Sequence, residues 1–348
     1  MSTTLHDTRP AGAPAQVRPP TVGVSWLAVM LLLVVLAAAA SVALGTRMVG
    51  WHDVIGGLSG GEDSIAEAAV AKRIPRTILA LIVGAALGVA GAVMQGVTRN
   101  PLADPGILGV TSGAALFVVS GIAFFSLSSQ LGFLWVAIVG AGVSAAFVYA
   151  MGSLGHGGPT PLKLALAGAA TSASFTCLTS AILLPRIDVM TVFRFWQIGG
   201  VGGANYDKIT LAAPFFLVGA LVCLASARGL NSLALGDDVA AGLGIRVGRT
   251  RLVAAAGAIV LCGAATAVAG PIAFVGLVVP HACRILVGAD HRWLVPLSAL
   301  AGATLLTASD VVGRIIARPA EIDVGIIVAF VGAPVFIALV RRLKVRAL

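Results

Sequence analysis

Residues 73–110 read RIPRTILALIVGAALGVAGAVMQGVTRNPLADPGILGV, and the run inside them without a charge, residues 77–98, decides the fold. Its length is enough to cross a bilayer core of about 30 Å as a helix. Gly84, Gly88 and Gly91 fall near one face of that helix, and Gly84 with Gly88 forms a GxxxG pair. In lipid such a face lets a second helix approach closely, because packing rather than hydrophobic burial joins helices there. Arg73, Pro75 and Arg76 punctuate the start, and Arg99-Asn100-Pro101-Leu102-Ala103-Asp104-Pro105-Gly106 follows the end.

Composition gives the same class independently. The chain is 58% hydrophobic and 11% charged, with a mean hydropathy of +1.02. A soluble domain carries about 25% charged residues, so this is a polytopic membrane protein. Cys177, Cys223, Cys262 and Cys283 lie in apolar runs without a CxxC pair, and read as packing residues rather than a disulfide or metal framework.

Working outward, residues 1–21 are rich in Pro, Ala and Thr and read as a disordered cytoplasmic tail, leaving 22–348 as one transmembrane domain. Residues 26–45 form a first span, too long for the apolar part of a signal peptide. Residues 47–72 are polar, with Gly-Gly pairs and four acids. The second span is the opening run. Two more lie between Asp104 and Lys163, divided near 121–130, and Gly155 to Pro159 ends the fourth. Residues 164–185 and 209–227 give a fifth and a sixth, with an amphipathic external stretch at 186–208. Residues 252–283 are too long for one span, and Gly270-Pro271 divides them into a seventh and a short eighth. Residues 293–309 and 324–340 complete ten.

With ten spans and both termini inside, the inner segments hold 14 of the 23 basic residues and five of the 14 acids. The Lys and Arg bias therefore favours cytoplasmic termini. The net charge of +9 is explained by that bias and calls for no nucleic-acid partner. GAALGVAG at 84–91 and GAATAVAG at 263–270 share six of eight residues. The match points to an inverted repeat of spans two to five and seven to ten, a common transporter plan.

Missing chemistry is also informative. There is no GxxxxGK[ST] phosphate loop, no nucleophile triad and no metal-ligand group, and His281 reads as an interface residue. No acid or base sits mid-span, which disfavours proton-coupled secondary transport. The energy source is expected on a partner.

The order R-x-P-R, G-A-x-L-x-x-x-G-x-x-x-Q (Gly84 to Gln95) and N-P-L-A-x-P-x-x-L-G resembles the permease subunits of ABC importers for iron–siderophore complexes, haem and cobalamin. The resemblance resumes at L-G-x-x-x-A-x-x-L-G (Leu235 to Gly244), at F-x-G-L-x-x-P-H-x-x-R (Phe274 to Arg284), and at Gly332-Ala333-Pro334-Val335-Phe336. The sequence departs at Asp323, where the family usually has Pro.

The resemblance implies an all-helical, type II importer permease in a bacterial cell membrane, without ATPase activity or a cofactor of its own. It pairs with a second copy or a paralogue, two ATPase subunits that carry ATP and Mg, and an extracytoplasmic binding protein. It further implies that Asn100, Pro101 and Leu102 form a cytoplasmic gate. The segment 228–251, with Leu235, Gly236, Asp237, Asp238, Ala240, Leu243 and Gly244, would seat in the ATPase. Arg73, Arg76 and Arg314 would receive acidic residues of the binding protein. Unaided by the resemblance, these arginines read as snorkelling residues and 228–251 as a solvated basic loop. The cargo is a ferric siderophore or similar chelate, with haem and cobalamin as alternatives within the family.

Overall fold

A computed structural model describes residues 20–61, 64–101, 103–154 and 161–346. Among them stand thirteen α-helices and no strand. The first five are α1 (Pro20–Ala43), α2 (Trp51–Leu58), α3 (Ile65–Thr98), α4 (Val110–Phe125) and α5 (Gln130–Ser153). Next come α6 (Pro161–Leu183), α7 (Ile187–Gln197), α8 (Tyr206–Leu233), α9 (Asp237–Gly242) and α10 (Val247–Ala269). The last three are α11 (Val275–Val287), α12 (His291–Ile316) and α13 (Val324–Arg346). Seven helices are long and apolar enough to cross a membrane: α1, α3, α5, α6, α8, α10 and α12. Three shorter apolar helices, α4, α11 and α13, accompany them.

Helix α3 is the centre. In its most apolar stretch 78% of residues are buried inside the protein, against 6% for α1, whose sides are left open. It packs on α12, α10, α11 and α8. Gly84 stands against the backbone of Gly302 and Ala303, Gly88 against that of Ser298, and Gly91 against that of Gly276. The approach is mutual, since Gly302 in turn faces the Gly84 carbonyl. Main chain meets main chain, which only glycine permits.

The two glycine-rich stretches that share a sequence pattern each pack on another long helix. Helix α3 lies on α12, and its counterpart α10 lies on α5, with Gly263 against Ile138 and Ala141.

Two boundaries differ from the sequence reading. The polar stretch 47–72 contains α2 and the first turns of α3, because Ser64 and Glu67 form a reciprocal cap, with Glu67 N–H donating to Ser64 Oγ at 3.1 Å. Pro75 therefore lies inside the helix rather than before it. The inner segment 228–251 also shrinks, because α8 runs on to Leu233 and α10 begins at Val247. The Gly270-Pro271 break falls as expected, between α10 and α11. The expected tail, nearly all of it, and the turn at 155–159 lie outside the described residues.

Gly88→Leu is expected to lower stability by at least about 1–3 kcal/mol, since the added bulk meets backbone that cannot step aside. Gly142→Leu, where the position faces open space, serves as the control. Thermal unfolding of the detergent-solubilised variants checks both.

Candidate functional site

Two clusters of charge lie well apart along α3. At its first third, Arg76 donates to both carboxylate oxygens of Asp310 on α12, at 2.8–3.2 Å, and to Glu321 at 2.6 Å. Asp310 is fully buried and also pairs with Arg314 one turn on, at 3.0 Å. Arg314 is itself buried, donating to the carbonyls of Ser41 and Leu44 and to Ser41 Oγ. Arg73 donates to the carbonyls of Val42, Ala43 and Arg47, and Arg318 to that of Gly45. The guanidinium of Arg73 lies against Gly45, where a side chain would collide.

These carbonyls are the unpaired end of α1 and the turn after it, the negative pole of a helix. A chain of hydroxyls completes the seal. Thr77 Oγ1 donates to the Arg73 carbonyl at 2.8 Å and sits 2.7 Å from Ser41 Oγ, which receives Arg314. Four arginines thus meet two acids, and the surplus positive charge is taken up by α1.

Arg73 and Arg314 accordingly do not present free charge to a partner, contrary to the expectation from sequence. Both guanidiniums are spent inside the protein, as the 7% and 2% exposures of the two residues show. Arg76 is the outermost of the three, with the exposed Glu321 beside it. Asp310, expected at the outer end of span nine, lies within α12, which runs on to Ile316, and is held by two arginines.

At the other end of α3, Arg99 closes the helix in the left-handed region, φ 50°, immediately before Asn100-Pro101. Its guanidinium pairs with Asp237, the first residue of α9, and Asp237 Oδ1 also accepts from Arg251 on α10 at 2.9 Å. The Asn100-Pro101 turn and the 235–244 segment, far apart in sequence, thereby meet. Leu102 lies outside the described residues. Gly236 and Gly244 bracket α9 with φ of 112° and 81°, backbone that other residues seldom adopt.

Across this segment Leu235, Val239 and Leu243 recur every four residues and are all exposed, with Val239 inside α9 and the two leucines flanking it, while Ala240 is wholly buried. Ala240 thus faces the protein's own core rather than an incoming partner. Sequence reading missed Val239, although the four-residue spacing from Leu235 to Leu243 signals it, and it missed Arg99 and Arg251 as partners of Asp237.

Next to this turn, Asp104 caps a short 3-10 turn, Pro105–Leu108, accepting from Gly106 N–H at 3.1 Å. Burial pushes its carboxyl up to about 6. Elsewhere, α4, α5, α8 and α10 enclose a cavity of about 570 Å³, mostly apolar, lined by Phe133, Trp196 and Leu211 with Lys208 and Asp323. The described residues hold no group of His, Cys, Asp and Glu suited to a metal ion, and no disulfide.

Removing Asp310 takes from Arg76 and Arg314 their one shared buried carboxylate, and Asp310→Ala is expected to cost about 3–5 kcal/mol. Glu321→Gln, at an exposed carboxylate, is expected to cost under about 1 kcal/mol. Asp104 gives a pH signature. Its raised value means the folded chain binds the proton more tightly, so the contribution is full at acid pH and is lost as pH rises through about 6. Asp104→Asn keeps a cap acceptor without titrating, so its melting temperature is expected to gain on the wild type between about pH 4 and 6 and to hold that gain above it.

The FecCD transport family matches residues 30–342. The ferric enterobactin transport system permease protein FepD of Escherichia coli (strain K12) is 45% identical over 315 residues, 90% of this chain and 94% of that protein. The probable siderophore transport system permease protein YfiZ of Bacillus subtilis (strain 168) is 39% identical over 320 residues, 91% of this chain and 96% of that protein. Among solved structures, an inward-facing metal-chelate type ABC transporter superposes with a TM-score of 0.78 at 31% identity, covering 92% of this chain and 99% of that one. With its apolar helices, its glycine-packed α3 and residues 30–342 matched, the chain is a multi-pass membrane permease that belongs to the FecCD transport family.

Proposed function

We propose that this permease imports a ferric siderophore or a chelate of similar bulk, driven by a separate ATPase. The observation that carries the reading is the exposed apolar row Leu235, Val239 and Leu243 on a segment tied to the end of α3. Exposed apolar residues clustered on and beside a short, glycine-bracketed helix mark a protein contact. Relatives named for ferric enterobactin and siderophores support the cargo.

The shorter helices α4, α11 and α13 complete ten spans, with the Arg99 end and both termini cytoplasmic. Two permeases, identical or paralogous, enclose the pathway, and Asn100, Pro101 and Leu102 narrow it at the cytoplasmic side. Two ATPase subunits hold ATP and Mg; this chain holds no cofactor. A binding protein docks at the Arg76 end, where Arg73 and Arg314 brace Arg76 from behind. The membrane is the bacterial cytoplasmic membrane.

A strain deleted for this permease is expected to lose uptake of iron-labelled ferric siderophore and to regain it with the wild-type chain. Val239→Asp and Leu243→Asp are each expected to abolish both uptake and co-purification of the ATPase, with the permease still folded by size exclusion. Arg76→Glu is expected to weaken capture of the binding protein, most at low ionic strength. Uptake that persists in Val239→Asp with Leu243→Asp would end the coupling assignment.

A further inference from the structure

The shared pair at Asp237 gives α9 one more role, which rests on the proposed ATPase contact. Asp237, expected from sequence in the ATPase seat, opens α9 but turns its carboxylate to the permease: the one oxygen Oδ1 receives Arg99 from the end of α3 and Arg251 from α10. Its neighbour Asp238 is exposed and makes no ion pair among the described residues. The two acids are alike in sequence and differ in their partners.

Otherwise α9 is lightly held. Ala240 is buried beneath it, Ile245 N–H donates to the Ala240 carbonyl, and a side chain placed at Gly236 or Gly244 would meet nothing within 4 Å. The backbone thus has room to swing at both brackets. On the other side of the pair the chain has little freedom. Arg99 is the residue in the left-handed region, and Asn100 and Pro101 follow at once. Proline fixes its own φ and restricts the residue before it. A pull on the Arg99 side chain therefore turns the Asn100-Pro101 segment as a unit.

We propose that Asp237 is the positioning residue that transmits movement of α9 to the gate turn, by holding Arg99 and Arg251 in one clasp. ATPase motion would reach the gate through this carboxylate, and Asp238 would take no part.

The complete importer, permease with its ATPase subunits, tests the clasp in an Asn100→Cys parent whose new thiol is the reporter. The readout is the rate at which a maleimide modifies that thiol, with and without ATP–vanadate trapping. In the parent the rate is expected to change on trapping. Asp237→Asn and Arg99→Gln are each expected to lose that change while ATP hydrolysis and co-purification persist. Their combination is expected to be no worse than either alone, as for two residues acting through one contact. Asp238→Asn is expected to behave as the parent, and Arg251→Gln replaces the Arg99 variant if that one does not fold.

A full nucleotide response in Asp237→Asn overturns the clasp, as does loss of co-purification in that variant alone, which would place Asp237 in the ATPase contact. A parent whose reporter thiol shows no nucleotide response overturns the gate reading and the clasp with it. Retained ATPase binding by Leu243→Asp, with the parent responding, overturns only the underlying coupling surface.

Discussion

Everything in this bundle depends on how closely α3 can lie against α12. Lipid offers no reward for burying apolar side chains, since it is apolar itself, so association rests on contact area and on fit. Gly84 and Gly88 on one helix, with Ser298 and Gly302 on the other, bring the two main chains together without side chains between them. Gly91 repeats the device on α11 at Gly276. The result is a rod of 34 residues, roughly 50 Å at 1.5 Å per residue, fixed along its length. One charged cluster is mounted within its first third and the other at the residue that closes it, so their separation is set by that one helix.

The Arg76 cluster shows how a bundle of low charge content tolerates buried cations. A guanidinium taken from water without partners would be costly. Here the partners are two carboxylates and a helix end. Five consecutive carbonyls, Ser41 to Gly45, receive arginine N–H groups from α3, from α12 and from the turn after α12. Helix α1 has little buried surface to hold it. Its terminus compensates, because orphan carbonyls in a poorly hydrated site find strong donors there.

Much of this was legible from residues alone. The glycine spacing at 84, 88 and 91 gave a close-packed face, Gly270-Pro271 gave a break, and Asp237-Asp238 gave a helix start, each a local signal. What local signals hide is the partner. Arg73, Pro75 and Arg76 read as the edge of a span because charge and proline usually end one. The acid that neutralises Arg76 lies 234 residues away. The Pro75 ring frees only the carbonyl of Ala71, near the helix start, so the helix runs through it. The same holds for Ala240, small in sequence and therefore ambiguous: a small residue fits a contact with a partner and a contact with the core equally well. Burial decides, and sequence spacing of four from Leu235 would have pointed to Val239 instead.

The sealing of α1 carries a consequence for how the chain comes to be built. Helix α1 leaves the ribosome first, and the residue that caps Ser41, Arg314, stands 273 positions later. During synthesis the end of α1 is served by Arg73 alone, with headgroups and water meeting its remaining carbonyls. Only when α12 has entered the membrane does the last pair of donors arrive, and with them the partner for Arg76. Locking of the α1 terminus is thus coupled to the arrival of α12, whose Arg314 is made 273 positions later.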